Sequence, residues 1–208
     1  MTSTSSVLDL APVLPVVVLE DVADAVPLAR ALVAGGLPAV EVTLRTAAAL
    51  EAIGAIADGV PDAVVGAGTV ISVRNVADAV AAGARFLVSP GWTDTLLNAM
   101  KASGAPFLPG ISTASEAVAL LERGVTEMKF FPAEAAGGAA YLKALSSPLP
   151  QARFCPTGGV SAANAPTYLA LPNVGCVGGS WMVPADAVAA KDWALVERLA
   201  REAAALRG

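Results

Sequence analysis

A chain of 208 residues, 55% hydrophobic and only 15% charged, has the length of one domain and the apolar content of a sheet covered on both faces. Its formal net charge of -5 and its 5% aromatic content, with no Lys/Arg-rich run, exclude a nucleic-acid surface, which needs a basic footprint and stacking platforms. Histidine is absent, which removes Ser-His-Asp and Cys-His catalysis, histidine zinc sites and any histidine base.

The opening MTSTSSVLDLAP lacks the basic start and apolar run of a signal peptide. No apolar run reaches the ~20 residues of a membrane helix, so the expectation is a cytoplasmic protein with no membrane partner. From there, strand-like and helix-like stretches alternate. Val13–Leu19 reads as a strand and Asp21–Ala34 as a helix; Ala39–Leu44 and Thr46–Ala57 repeat the pattern, followed by Ala63–Gly66 and Val73–Ala82. Arg85–Ser89 precedes the helix Asp94–Ser103, Pro106–Pro109 precedes Thr113–Arg123, and Glu127–Phe131 precedes Gly138–Leu145. Arg153–Pro156 leads to Ala162–Leu169, and Gly175–Gly178 to a closing helix Trp193–Leu206. The strands are rich in Val, Leu, Phe and Ile, as buried parallel strands are. Gly35, Gly83, Gly104 and Gly124 stand as helix stops, and Ser72 and Ser112 as N-caps.

Eight strand-then-helix units in a chain this short predict an α/β fold of the (β/α)8 TIM-barrel type, as a single compact domain over residues 1–208 with a short lead-in before the first strand near residue 13. A doubly wound sheet would need a glycine-rich phosphate turn after its first strand, where this chain has LEDVADAV. Cys155 and Cys176 sit in apolar, strand-like contexts and read as buried thiols rather than a disulfide framework.

Catalytic groups of a barrel lie at the C-terminal ends of its strands, so polar residues in or just after the apolar runs are the candidates. Alternation along AVEVTLR puts Glu41, Thr43 and Arg45 on the inward face and Val40, Val42 and Leu44 on the helix side. In TEMKFFP, Lys129 lies amid apolar residues, as none of the other three lysines does, and shares a face with Glu127 and Phe131. Burying an ammonium is costly, and burial favours the neutral amine, the form that attacks carbonyl carbon. The plainer alternative is a structural lysine paired with Glu41 or Glu127. Together Lys129 and Glu41 fit one mechanism. The amine forms an imine with a ketone, the adjacent carbon–carbon bond breaks to an enamine, and the carboxylate carries the proton. CPTGGVS and GGSWMVP bring glycine pairs to the ends of two neighbouring strands, where backbone N–H groups can converge on an anion; Gly158, Gly159, Gly179 and Ser180 are the candidates. Thr69 of GAGTV could donate a hydrogen bond to a carboxylate, and Pro90 of SPG could shape an apolar wall.

The runs EVTLRT, VGAGTV, SPG, PGIST, KFFPAE, FCPTGG and GGSWMVP, in this order over nearly the whole chain, resemble the 2-keto-3-deoxy-6-phosphogluconate (KDPG)/4-hydroxy-2-oxoglutarate aldolase family. The resemblance implies a class I aldolase without metal or cofactor, acting on a phosphorylated 2-keto acid. It would release pyruvate and glyceraldehyde 3-phosphate, or pyruvate and glyoxylate from 4-hydroxy-2-oxoglutarate. It implies the imine on Lys129, acid/base work by Glu41, and the substrate carboxylate at Arg45 and Thr69. Pocket walls would fall on Pro90 and Phe131, a substrate contact on Thr157, and the phosphate on Gly158, Gly159, Gly179 and Ser180. It also implies a homotrimer. The alternatives are the 6-phosphogalactonate aldolase, which differs in one stereocentre of the sugar, a carboxylate-only metal aldolase, and a non-catalytic barrel that binds a phosphorylated metabolite.

Overall fold

The computed structural model describes residues 6–206, so residues 1–5 and 207–208 of the expected domain lie outside the described residues. In chain order the elements are β1 (Val13–Val17), α1 (Ala25–Ala34), β2 (Ala39–Thr43), α2 (Ala49–Gly59), β3 (Val64–Gly68), α3 (Val73–Ala81), β4 (Leu87–Val88) and α4 (Asp94–Ser103). They continue with β5 (Phe107–Leu108), β6 (Gly110–Ile111), α5 (Ala114–Glu122), β7 (Glu127–Phe130), α6 (Gly138–Leu145), β8 (Arg153–Pro156), α7 (Ala165–Leu169), β9 (Val177–Gly179), α8 (Ala185–Ala189) and α9 (Trp193–Ala204).

Every pairing among the described residues is parallel. One sheet runs β5-β4-β3-β2-β1-β9 and a second runs β6-β7-β8. Two isolated bridges, Phe154↔Val174 and Thr157↔Gly178, join β8 to the β9 side and close the ring. The nine strand segments fill eight positions of a TIM barrel, because β5 and β6 are one strand cut at Pro109. Proline has no N–H for the ladder. The strand therefore pairs with β4 before the break (Leu87↔Phe107) and with β7 after it (Gly110↔Lys129). The expected strand Pro106–Pro109 was too short for this reason: its mouth-side half resumes at Gly110. The sequence reading also missed α8, a short helix just after the last strand.

Two apolar layers hold the barrel. Val40, Val42, Val65, Leu87, Met128, Phe130 and Phe154 point outward into a cluster shared with the helices, as alternation along β2 and β7 requires. Leu14, Ala39, Phe86, Val88, Leu108, Cys155 and Cys176 form a separate inner cluster with Val7 and Leu8. Both cysteines are buried, and no disulfide joins them. The segment before β1 is thus more than a lead-in. Its one-turn helix Val7–Asp9 is capped by Ser6 and stops the lower end of the barrel. A salt-bridge network fixes it there: Arg153 bonds Asp9 and Glu127, and the Ser6 hydroxyl donates to Glu127. The hydrogen bond to Asp9, then the nearby carboxylates, hold the Arg153 guanidinium above its ordinary range despite partial burial.

Helix ends follow the expected chemistry with two adjustments. Gly83, Gly104 and Gly124 take positive φ, but after α1 the positive φ belongs to Gly36 and not Gly35. Ser72 caps α3 as expected. The cap of α5 is Thr113 rather than Ser112, in a reciprocal capping box with Glu116. Burial alone would raise the Glu116 carboxyl, yet its four hydrogen bonds from Ser112 and Thr113 together hold it below the usual range.

Leu8 is fully buried and packs on Gly175. Leu8→Ala should lower stability by about 2–5 kcal/mol, read as a drop in the urea midpoint with an unchanged slope.

Candidate active site

Six polar residues are buried among those described: Glu41, Thr43, Ser89, Lys129, Thr157 and Asn173. Four of them, on β2, on β7 and just after β8, line one cavity of about 310 Å³ at the C-terminal mouth of the barrel. The inner apolar cluster stops one residue layer below, where Ala39 precedes Glu41 and Cys155 precedes Thr157 along their strands. The polar half of the interior is therefore the half that opens to solvent.

At the base of this cavity Lys129 Nζ stands 3.3 Å from Glu41 Oε1. The two residues are only 6% and 1% exposed. Such a pair is held by mutual attraction against a large desolvation cost. Glu41 Oε2 is buried with no hydrogen-bond partner among the described residues, so one carboxylate oxygen steadies the amine and the other is left for a proton. Room for this carboxylate comes from β3, where a Cβ on Gly68 would overlap Glu41 Oε1. The Phe131 ring lies 5.3 Å from Nζ and covers the amine with an aromatic face. Of the two partners anticipated for Lys129, the structure chooses Glu41. Glu127 shares the inward face of β7 but lies two residues lower, in the Ser6–Arg153 network.

Above this pair, Arg45 leaves the end of β2 and is exposed at the mouth. Its Nε donates to Thr43 Oγ1 at 3.1 Å, and the Thr43 hydroxyl donates to the Val17 carbonyl at 3.0 Å. This chain aims the guanidinium over the cavity. Alternation along β2 turned Thr43 inward in the sequence reading without giving it a task; the hydrogen-bond partners supply one. Thr69, at the end of β3, has φ 58, a left-handed conformation rare for a β-branched residue. Such strain costs of order 1–3 kcal/mol and collects at functional sites. Here it is held by bonds on both sides, Leu44 N–H to Gly68 O and Val70 N–H to Val88 O. Pro90 and Phe131 give the cavity apolar wall, and Thr157, just past the end of β8, lines it with Lys129, whose own partner in the β7–β8 register is Cys155.

The loops after β8 and β9 complete the rim. Gly158 and Gly159 take φ +99 and +78, which only glycine adopts freely. Gly179 and Ser180 follow the neighbouring strand, joined to β8 by the Thr157↔Gly178 bridge, and Val16, Val160 and Gly178 also line the cavity. All eleven residues singled out from the sequence meet at this one cavity. Among the described residues no group of three or more His, Cys, Asp or Glu side chains is placed to hold a metal ion, and no helix is long and apolar enough to cross a membrane.

Residues 4–199 match the family model described as KDPG and KHG aldolase. The chain belongs to the KDPG and KHG aldolase family. It is 53% identical over 202 residues to the KHG/KDPG aldolase of Escherichia coli K12, covering 97% of this chain and 95% of that protein. Two solved members of the family superimpose closely. The KDPG aldolase of Legionella pneumophila, with pyruvate captured as a covalent carbinolamine intermediate, has a TM-score of 0.93 at 48% identity, covering 95% of this chain and 96% of that one. The 2-keto-3-deoxy-6-phosphogluconate aldolase of Zymomonas mobilis with 3-phosphoglycerate has a TM-score of 0.92 at 50% identity, covering 96% and 94%. In this member of the family, the lysine–glutamate pair and the two glycine loops line a single cavity.

Thr43→Val keeps the shape of the side chain but removes both hydrogen bonds that tie Arg45 to β1. It should cost about 1 kcal/mol of stability, measured by urea unfolding against the parent protein.

Proposed function

We propose that this chain is a class I aldolase that splits 2-keto-3-deoxy-6-phosphogluconate into pyruvate and glyceraldehyde 3-phosphate, and 4-hydroxy-2-oxoglutarate into pyruvate and glyoxylate. The observation that carries this reading is the buried Lys129 amine 3.3 Å from Glu41 Oε1, in a cavity whose lining includes Gly158, Gly159 and Gly179. The carbinolamine held by the Legionella relative is the product of adding an amine to the ketone of pyruvate. The amine of this chain that suits that step is Lys129.

The steps follow from the positions. The Lys129 amine adds to C2 of the keto acid to give a carbinolamine, which takes up one proton and loses water to give a protonated imine; that proton is returned when water later hydrolyses the imine. That cation draws electrons from the C3–C4 bond. Glu41, with Oε2 unpaired, takes the proton of the C4 hydroxyl as the bond breaks. The aldehyde departs, and the carbanion persists as the enamine of pyruvate. Glu41 returns its proton to C3, and water releases pyruvate from Lys129. Arg45, aimed by Thr43, and Thr69 hold the carboxylate. Pro90 and Phe131 exclude water from the imine, which keeps the electrostatics strong. Thr157 contacts the substrate beside the imine. Gly158, Gly159, Gly179 and Ser180 receive the phosphate, at the place where barrels of this kind bind one. The 3-phosphoglycerate of the Zymomonas relative is a phosphorylated three-carbon acid, similar in size to the departing aldehyde.

The assembly proposed with this function is a homotrimer of single-domain chains. Val18, Ile71 and Val73 lie just beyond the mouth-side ends of β1 and β3 with 44%, 65% and 50% exposure, apolar surface that a neighbouring copy would cover.

Borohydride reduction in the presence of pyruvate should leave one covalent adduct, mapped by mass spectrometry to Lys129, and Lys129→Ala should leave none. An adduct on another lysine defeats the assignment. Gly159→Leu should weaken use of the phosphorylated substrate far more than of 4-hydroxy-2-oxoglutarate, because the new side chain meets Glu134 Cγ at 2.6 Å from Cβ onward. Equal losses would argue against a phosphate site there.

A further inference from the structure

At its tip the loop after β8 carries two glycines in a row, which have no side chains with which to fix their own conformation. Gly158 and Gly159 both sit at positive φ, and glycine is the residue with most freedom to leave a given conformation. This tip must therefore be held by other residues, and the structure shows by which. From the β7 side, Ala133 N–H donates to Thr157 O at 2.8 Å and Glu134 N–H donates to Gly158 O at 3.1 Å. The Glu134 side chain then crosses behind Gly159, so close that a Cβ there would come within 2.6 Å of Glu134 Cγ. Its carboxylate ends on the hydroxyl of Tyr168, which donates to Oε1. Tyr168 is 1% exposed and stands on α7, the helix that follows the loop. From that same side Asn164 Nδ2 donates to Gly159 O at 3.1 Å, and Ser161 N–H donates to Asn164 Oδ1 at 2.7 Å.

We propose that Glu134 and Tyr168 are a positioning pair for this loop, holding the Gly158 and Gly159 amides in the form that receives the substrate phosphate and so setting the preference for the phosphorylated substrate. The inference rests on the assignment of the phosphate to that loop. Neither residue lines the cavity, so neither touches substrate. Their contact does two things at once. It braces Gly159 from behind, and it ties down a carboxylate that would otherwise be free to move beside a dianion, where like charges repel. Tyr168 suits the task because it stays a donor: burial first, and then the adjoining carboxylate, push its phenol above the ordinary range. The sequence offered no sign of this pair, since the two residues are 34 positions apart and each alone reads as an ordinary loop acid and a core tyrosine.

Steady-state kinetics with both substrates tests the pair. Glu134→Ala and Tyr168→Phe should each lower kcat/KM for the phosphorylated substrate about tenfold, the scale of one lost hydrogen bond to a charged group. The loss should fall mainly on KM, because the contact is remote from the reacting carbons. Cleavage of 4-hydroxy-2-oxoglutarate should change less than about threefold on the same scale. Glu134→Gln, which still offers Tyr168 an acceptor, should restore most of the loss. Glu134→Ala/Tyr168→Phe should lose no more than either single variant, as residues acting through one contact do. Tyr168→Phe keeps its ring in the core and so reports even if Glu134→Ala fails to fold. Equal losses on both substrates, additive losses, or no loss with the phosphorylated substrate would overturn the inference. Gly159→Leu separates the two levels. If it strikes both substrates alike, the phosphate assignment fails and this inference with it; if it is selective while Tyr168→Phe is not, only the positioning pair falls.

Discussion

A charged or chargeable amine enclosed in a protein must be compensated, and the rest of this structure is arranged around that requirement. Lys129 is placed on β7, where strand geometry leaves its side chain no direction but the barrel interior. Its neighbour at that height is Glu41, 3.3 Å away. Replacing such a pair by apolar residues is often neutral or stabilising, so the pair is poorly explained as a device for holding the barrel together. What it supplies is a nucleophile and a proton carrier fixed relative to one another before any substrate arrives, which removes much of the entropic cost of bringing them together. Gly68 leaves space for the carboxylate, Phe131 covers the amine, and Thr43 steers Arg45. Each of these makes sense once the pair is in place and has little purpose without it.

The barrel divides its interior accordingly. The lower half is filled with Leu, Val, Phe and Cys side chains and closed by the Val7–Asp9 turn, and the upper half carries Glu41, Thr43, Lys129 and Thr157. Stability and chemistry thus draw on different ends of the same strands. A two-residue step along β2, from Ala39 to Glu41, or past the end of β8, from Cys155 to Thr157, crosses from one to the other. The glycine loops at the rim form a third zone; the one after β8 is held partly by Asn164 within it and partly by Glu134 from the β7 side.

Much of this was legible in the sequence because it depends on short-range periodicity. Alternation turned Glu41, Thr43 and Lys129 inward, and the succession of eight βα units gave the barrel. An isolated lysine in an apolar strand was conspicuous for a simple reason: there are few physical grounds to bury one. What escaped depends on contacts between distant segments. The partner of Lys129 was left open between Glu41 and Glu127, because inward direction is visible along a strand but height relative to a neighbouring strand is not. Register alone decides it. The floor-sealing role of Val7 and Leu8, the task of Thr43 and the Glu134–Tyr168 contact were hidden for the same reason. The break at Pro109 has a local signal, a proline inside an apolar run, but that signal alone marks the end of a strand. The structure resumes the strand at Gly110, with a different partner. The N-cap at Thr113 instead of Ser112 is the one-residue ambiguity that two adjacent hydroxyls create.

The closed floor has a further meaning for the order of events. With Leu8 and its neighbours blocking the lower end, the interior formed by the described residues is a well that opens at its mouth, and traffic through that mouth is last in, first out. On the proposed reading, the keto-acid end of a substrate lies deepest, against Lys129, and the phosphate end lies at the glycine loops of the rim. On cleavage the outer fragment has to leave before the inner one can follow. In the reverse, condensing direction, the same reading seats pyruvate before the aldehyde enters, since an aldehyde arriving first would stand between the mouth and the amine. The sequence of binding and release is therefore written into the plumbing of the barrel, by residues at the end farthest from the reaction.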